Sequence, residues 1–212
     1  GGGGGAGVGR SVPTFAPAGD SARERFREEE RLRYARPEQP FWYTALDGRP
    51  AAVAPARLPP KPRGGSQGDV KARDHALLRP DRPAAATILC IVRDAAARLP
   101  GGAGTRADLC TLVRDSQYLV EGATDAQVNS VVSGALDRLQ VHADPCLGFD
   151  AERKAWYYRH GDRTAEDFAA AEAAGRELGE LNEGLREARE QLGRALDRAE
   201  AAEAALVVRT SE

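Results

Sequence analysis

The chain has 212 residues, enough for one or two domains, and its net charge of −2 selects no particular class of partner. Its three cysteines, Cys90, Cys110 and Cys146, are odd in number and far apart, which argues against a disulfide framework and fits reduced thiols in an intracellular protein. No apolar run is long enough for a membrane span or a signal-peptide core, so no membrane partner is expected.

The chain opens on five glycines and contains no Met, which reads as a fragment of something longer. Charge is unevenly spread. Residues 1–80 carry 14 Lys/Arg against 9 Asp/Glu, residues 81–160 carry 9 against 10, and residues 161–212 carry 7 against 13.

Residues 1–19 are mainly Gly, Ala and Pro and are expected to be disordered. Residues 20–36 are dense in Arg and Glu, with Phe26, Leu32 and Tyr34 as the large apolar positions. They read as a solvated helix that Asp20 could cap. Phe41, Trp42, Tyr43 and Thr44 form a strand-like aromatic cluster. Asp47-Gly48 is a turn signal, and Ala52-Val53-Ala54 can return as a second strand, confined to an edge by Pro50 and Pro55. The Pro-, Gly- and Arg-rich stretch 57–68 closes this segment (37–68) as a linker.

The periodic part follows, within a domain expected at 69–160. Pro83 suits a first helical turn, and Ile88, Val92, Ala95, Ala96 and Leu99 fall on one helical face, widened by Leu89 and Ile91. Pro100 and Gly101-Gly102 stop that helix, and the run to Gly104 reads as a flexible turn. Thr105 and Asp108 form a capping-box-like start for a second helix carrying Leu109, Leu112 and Val113. Thr124 and Gln127 repeat the signal for a third, whose stripe is Val128, Val131, Val132, Ala135, Leu136 and Leu139. The period then changes: Val141, Cys146, Phe149, Trp156 and Tyr158 lie in two extended segments around a polar turn at 150–153. Three helices followed by a β-hairpin is the winged-helix order, spanning about Asp81 to Arg159. The expected core is Ile88, Val92, Leu99, Leu109, Leu112, Val128, Val131, Val132, Leu136, Leu139 and Trp156.

Thr164 and Asp167 start a last helix over 162–208. Ala171, Leu178, Leu185, Leu192, Ala199 and Leu206 recur every seven residues, with Ala174, Leu181, Ala188, Ala195 and Ala202 three residues after each. Four glycines at 175, 179, 184 and 193 weaken this coiled-coil-prone helix. The fold class is therefore mainly α with a small β-hairpin: a winged-helix-like domain followed by a long heptad helix.

A winged helix commonly reads DNA with its third helix, held by basic residues on phosphates. Residues 124–139 offer one basic side chain, Arg138, against Asp125 and Asp137. Their outward positions are Gln127, Ser130, Ser133, Gly134 and Asp137. Arg153 and Lys154 in the wing turn are offset by Asp150 and Glu152. Direct DNA binding is therefore not the expected role. Gly134 reads first as tight packing within the domain, and otherwise as a place where a partner's backbone comes close. The rival reading is a DNA-binding transcription factor that uses the winged helix and the basic N-terminal segment. A third is a coiled-coil adaptor resting on the tail alone.

The chemistry-bearing residues do not assemble into a site on paper. His75, His142 and His160 are scattered, no Cys pair has zinc-ligand spacing, and His142 with Cys146 lacks two further ligands. Gly2, Gly4 and Gly7 match a dinucleotide fingerprint only through low complexity. No catalytic residue, metal or cofactor is expected, and the chain is not read as an enzyme. The candidate protein-contact residues are Phe41, Trp42, Tyr43, Gln127, Ser130, Ser133, Gly134 and Asp137.

The runs Asp81-Arg82-Pro83, Thr87-Ile88-Leu89 and Val92 to Pro100 closely resemble the NFRKB (nuclear factor related to kappa-B-binding protein) family. So do Gly104 to Ala107, Asp115-Ser116-Gln117, Gln127-Val128-Asn129, Val131 to Leu139 and Asp144-Pro145-Cys146. The likeness extends over roughly residues 37–168. It implies a nuclear subunit of an Ino-eighty-type ATP-dependent chromatin-remodelling complex, with roles in transcription regulation and DNA repair. It also implies that the winged helix docks other subunits and lacks DNA-binding character. The family's upstream helical domain, which engages a ubiquitin C-terminal hydrolase, has no counterpart in this sequence, so that partner is not carried over.

Overall fold

The computed structural model of the chain describes residues 13–56 and 71–210, with side chains to residue 201. The expected linker 57–68, and residues 1–12 of the Gly-rich start, lie outside the described residues.

The first helix, α1 (Asp20–Ala35), buries Phe26, Glu30, Arg33 and Tyr34. That spacing is one helical face, so the solvated-helix expectation fails. The charged residues on this face disguise it, because each finds a partner inside the protein. Asp20 is not the cap: Gly19 holds that position and makes no side-chain cap bond. Strands β1 (Phe41–Thr44) and β2 (Pro50–Val53) then pair antiparallel, Trp42 opposite Ala52, around a turn in which Gly48 takes φ 85°. The hairpin packs on α1 and on α2 (Ile88–Ala97).

The start of α2 is set by Thr87, whose hydroxyl accepts from the Cys90 amide at 3.3 Å. Pro83 lies outside the helix, in a turn where its carbonyl accepts from the Ala86 amide. Leu99 and a 3-10 turn at Pro100–Gly102 end this region. Gly101 and Gly102 adopt φ 64° and 71°, which a side chain would strain. The chain then forms a two-residue strand, β3 (Ala103–Gly104), where only a flexible turn was expected.

The helices α3 (Arg106–Val113) and α4 (Asp125–Gln140) begin with the two expected capping boxes, Thr105–Asp108 and Thr124–Gln127, both reciprocal. Strands β4 (Leu147–Asp150) and β5 (Ala155–Tyr158) follow. The sheet order is β3-β5-β4, so the wing is three-stranded rather than a bare hairpin. Val141 lies outside it, at the C-terminal cap of α4 and 79% exposed, not in an extended segment. A Cβ at Gly148 would meet the outer end of the Tyr157 ring and the Arg159 guanidinium, so those side chains would have to move to admit one.

The helices α2, α3 and α4 pack on one another with β4 against α4. Their core is the expected one. Val92, Leu99, Leu109, Leu112, Val128, Val132 and Leu136 are buried, and Ile88, Val131, Leu139 and Trp156 pack half-buried against them. Ile91, read only as a widening residue, is fully buried. Phe26, Tyr43, Ala51 and Val53 from α1 and the first hairpin enter the same core.

The last helix, α5 (Ala165–Thr210), starts on the expected Thr164–Asp167 pair, the Thr164 amide donating to Asp167 at 2.9 Å and the Asp167 amide to Thr164 Oγ1 at 3.2 Å. Its first turn, through Phe168, belongs to the compact unit described above. Residues from Ala169 form a second unit on their own. Within it Leu178, Leu181, Leu185, Leu192 and Leu196 are all exposed. The pairs Arg176–Glu172 and Arg186–Glu190 stand four residues apart along its surface.

Candidate protein-docking surface

Two surfaces were expected to carry contacts, and the fold treats them differently. On β1, Tyr43 is fully buried and its hydroxyl donates to Asp94 at 3.1 Å, so it is a core residue and not a contact residue. Phe41 is half-buried, its ring centroid 4.9 Å from that of Tyr43. Of the three aromatics Trp42 alone faces outward, 44% exposed. Strand alternation explains the split, since residues 41 and 43 share the face opposite residue 42.

The outer face of α4 is open. Gln127, Ser130, Gly134 and Asp137 are exposed. Gln127 is partly committed, its side-chain oxygen accepting from the Thr124 amide at 2.9 Å. Ser133 is half-buried and accepts from Arg106 of α3 at 3.3 Å. Nothing lies within 4 Å of where a Gly134 Cβ would stand, so tight packing inside the domain does not explain this glycine.

Beside α4, the wing presents an aromatic overhang. Leu147, Phe149, Trp156 and Tyr158 share one face of the β4–β5 ladder, with Phe149 directly opposite Trp156. Leu147 and Tyr158 are buried, whereas Phe149 is 45% exposed beyond them. The Phe149 and Trp156 ring centroids stand 5.0 Å apart, a favourable aromatic pair that remains open to a partner. Tyr157 lies on the other face, its hydroxyl accepting from Arg159 at 2.9 Å.

Some of the charges near these surfaces are paired within the chain, while Arg138 on α4 and Lys154 in the wing turn are exposed. Arg114 donates to Asp125 at the start of α4, at 2.6 Å. The Asp150 carboxylate accepts from the Glu152 and Arg153 amides at 3.0 Å each, closing the wing turn. On α1, Arg23 reaches Asp115, and Arg27 donates to the Asp115 carbonyl at 3.1 Å. Arg33 is buried on Asp94.

What the sequence reading lacked is the polar interior behind these surfaces. Asp94 accepts from Arg33, from Tyr34 at 2.8 Å and from Tyr43 at 3.1 Å. Glu30 accepts from Ser116 at 2.6 Å and from the Gln117 amide at 3.1 Å. Burial pushes the Glu30 carboxyl up to about 7. Arg98 donates to Asp115 at 2.8 Å, with its guanidinium carbon 3.6 Å from the Phe26 ring centroid. His160 is buried, with Nε2 3.3 Å from Asp144 but off-line for a hydrogen bond, and burial holds its imidazole down at about 4. One signal was available: Asp94 and Arg98 stand among Ile91, Val92, Ala95, Ala96 and Leu99, on a segment too apolar to have a solvent face.

Among the described residues no group of three or more His, Cys, Asp or Glu side chains is placed to hold a metal ion. No described helix is long and apolar enough to cross a membrane.

This geometry has a counterpart in sequence. The family described as the NFRKB second winged helix domain matches residues 22–166. The chain belongs to the NFRKB family. The matched span takes in α1 and the first hairpin as well as the winged helix, in keeping with the core they share. A protein of Xenopus tropicalis named nuclear factor related to kappa-B-binding protein is 48% identical over 155 residues, which is 72% of this chain. The aligned part is 12% of that relative's length, so the NFRKB likeness concerns one region of a much longer protein. No solved structure matches the chain.

Proposed function

We propose that this NFRKB-family domain is a non-catalytic docking element of a nuclear, Ino-eighty-type ATP-dependent chromatin-remodelling complex. Its partners would be other subunits of that assembly, met through the outer face of α4 and the Phe149–Trp156 overhang of the wing. The observation that carries this is the makeup of the surface that a DNA-reading winged helix uses. It presents Ser130, Gly134 and Asp137 with an aromatic pair, and its exposed cations Arg138, Arg153, Lys154 and Arg159 are matched in number by Asp125, Asp137, Asp150 and Glu152. Phosphate affinity needs a net excess of cations, whereas a protein partner is served by aromatic anchors in a polar rim. The relative's name, a nuclear factor, supports the compartment.

Affinity purification of the tagged chain from nuclear extract tests the reading. Identified remodeller subunits should be recovered, and recovery of none of them overturns it. A mobility-shift titration on duplex DNA at near-physiological salt should show no complex at micromolar protein. A tight complex that weakens steeply with salt would favour the transcription-factor reading instead.

A further inference from the structure

The described leucines of α5 beyond Phe168 form an apolar seam whose positions are 51–62% exposed. We propose that this seam pairs with the same helix of a second copy of the chain, running antiparallel and centred between Arg186 and Glu187. The proposal is independent of the docking role argued above.

Side-chain size decides the direction. In heptad terms Leu178, Leu185 and Leu192 hold the a positions, while Ala174, Leu181, Ala188 and Ala195 hold the d positions. A parallel pair sets like against like. Leu–Leu layers would then be separated by two Ala–Ala layers at 188 and 195, with voids between the helices. An antiparallel pair sets each a against a d of the partner. About that centre, Leu178 meets Ala195, Leu185 meets Ala188, and Leu181 meets Leu192, each layer occurring twice by symmetry. Two of these three layers set large opposite small and the third sets Leu on Leu. Leucine is thus spread along residues 178–195 without the Ala–Ala layers a parallel pair has there, and the helix axes can approach to about 8 Å.

Charge fixes the register. In an antiparallel pair the g positions flank each other, as do the e positions. Centred as proposed, Glu177 faces Arg198 of the other copy, and symmetry supplies the pair twice. Sliding one heptad toward the C-terminus instead brings Arg189 against its own copy, a repulsion. Sliding one heptad the other way places Glu177 opposite Gln191 and forfeits the ion pair. The flanks also account for two of the glycines. Each glycine weakens an isolated helix by about 1 kcal/mol relative to Ala, and none of the four has a neighbour near its would-be Cβ within this chain. Gly175 would receive Leu196 of the partner, which explains a large exposed leucine beside the seam. Gly184 would lie across from Gln191. Gly179 and Gly193 point away and gain nothing from the pairing.

Sedimentation equilibrium on the full chain tests this directly. Wild type should pass from monomer to dimer with concentration, and Leu185→Glu should weaken the dimer at least about tenfold. Glu177→Arg and Arg198→Glu, made singly, should each weaken it by roughly threefold to tenfold. The double reversal, Glu177→Arg with Arg198→Glu, should restore wild-type association. Circular dichroism of each variant checks that the helix persists. A chain monomeric at about 100 μM overturns the proposal. So does a dimer that the double reversal fails to restore, because a parallel pair never brings these two residues together. A dimer that survives deletion of residues 169–212 also overturns it.

Discussion

Arg33 of α1 and Asp94 of α2 meet in the core, Nε 3.2 Å from Oδ2, with both side chains fully buried. They are 61 residues apart in sequence. The same carboxylate takes the Tyr34 and Tyr43 hydroxyls, so one residue of the winged helix fastens both the N-terminal helix and the first hairpin. The matched family unit, residues 22–166, takes in all of these elements.

Removing that carboxylate should be severe. Asp94→Ala strands a buried guanidinium and two hydroxyls, and a loss of about 3–5 kcal/mol is expected for breaking a buried pair from one side. Urea denaturation followed by circular dichroism reads it. Pairing Asp94→Leu with Arg33→Met should recover much of the loss, because neither charge is then left alone. If the double variant were as unstable as Asp94→Ala, packing rather than charge would be the cause.

Glu30 and His160 should tilt the pH dependence in opposite directions. Glu30 has a folded pKa raised from 4.5 to about 7, so it favours the fold below pH 4.5 and that contribution is lost as pH rises through 7. A shift of this size corresponds to about 3 kcal/mol. His160 is lowered from 6.5 to about 4, so its contribution is present above pH 6.5 and lost as pH falls through 4. Glu30→Gln should therefore gain stability relative to wild type between pH 4.5 and 7. His160→Gln should lose less than wild type on acidification below pH 6.5. Denaturation midpoints measured at pH 4.5, 6 and 7.5 separate the two.

Two glycines should respond oppositely to Ala. Gly134 lies mid-helix in open space, so Gly134→Ala should stabilise the domain by about 0.5–1 kcal/mol through helix propensity. Gly148→Ala forces the outer end of the exposed Tyr157 ring and the Arg159 guanidinium to move and should destabilise by about 1 kcal/mol. Thermal unfolding distinguishes them. If Gly134→Ala also weakens recovery of remodeller subunits, a partner backbone approaches α4 at that point.

Phe149→Ser should leave the fold nearly intact, because the ring is 45% exposed and outside the buried core. Its effect should fall on association, with recovery of the docked subunit reduced by about tenfold, as for an aromatic anchor. A variant that binds normally would move the docking surface away from the wing.

The local features of this protein could be read from the sequence because they are made by near neighbours. Thr105–Asp108, Thr124–Gln127 and Thr164–Asp167 are three-residue hydrogen-bond pairs, and all of them form as read. The apolar stripe of α4 and the change of period at the wing follow from the pitch of a helix and the pleat of a strand. Helix order, and with it the winged-helix class, was fixed at that level.

The N-terminal region was not legible in the same way. Glu30 and Ser116 are hydrogen-bonded across 86 residues of sequence, and no local pattern records that a charge will find such a partner. An Arg/Glu-rich helix therefore reads as solvated until the fold supplies Asp94, Asp115 and Ser116 to bury it against. Tyr43 passed for a contact residue for the same reason, and β3 went unseen because a two-residue strand exists only through its neighbour β5. The sequence by itself determined where helices start, which faces are apolar and how little net charge α4 carries. The tertiary structure alone decided which polar groups lie inside, because burial of a charge depends on partners brought from far along the chain.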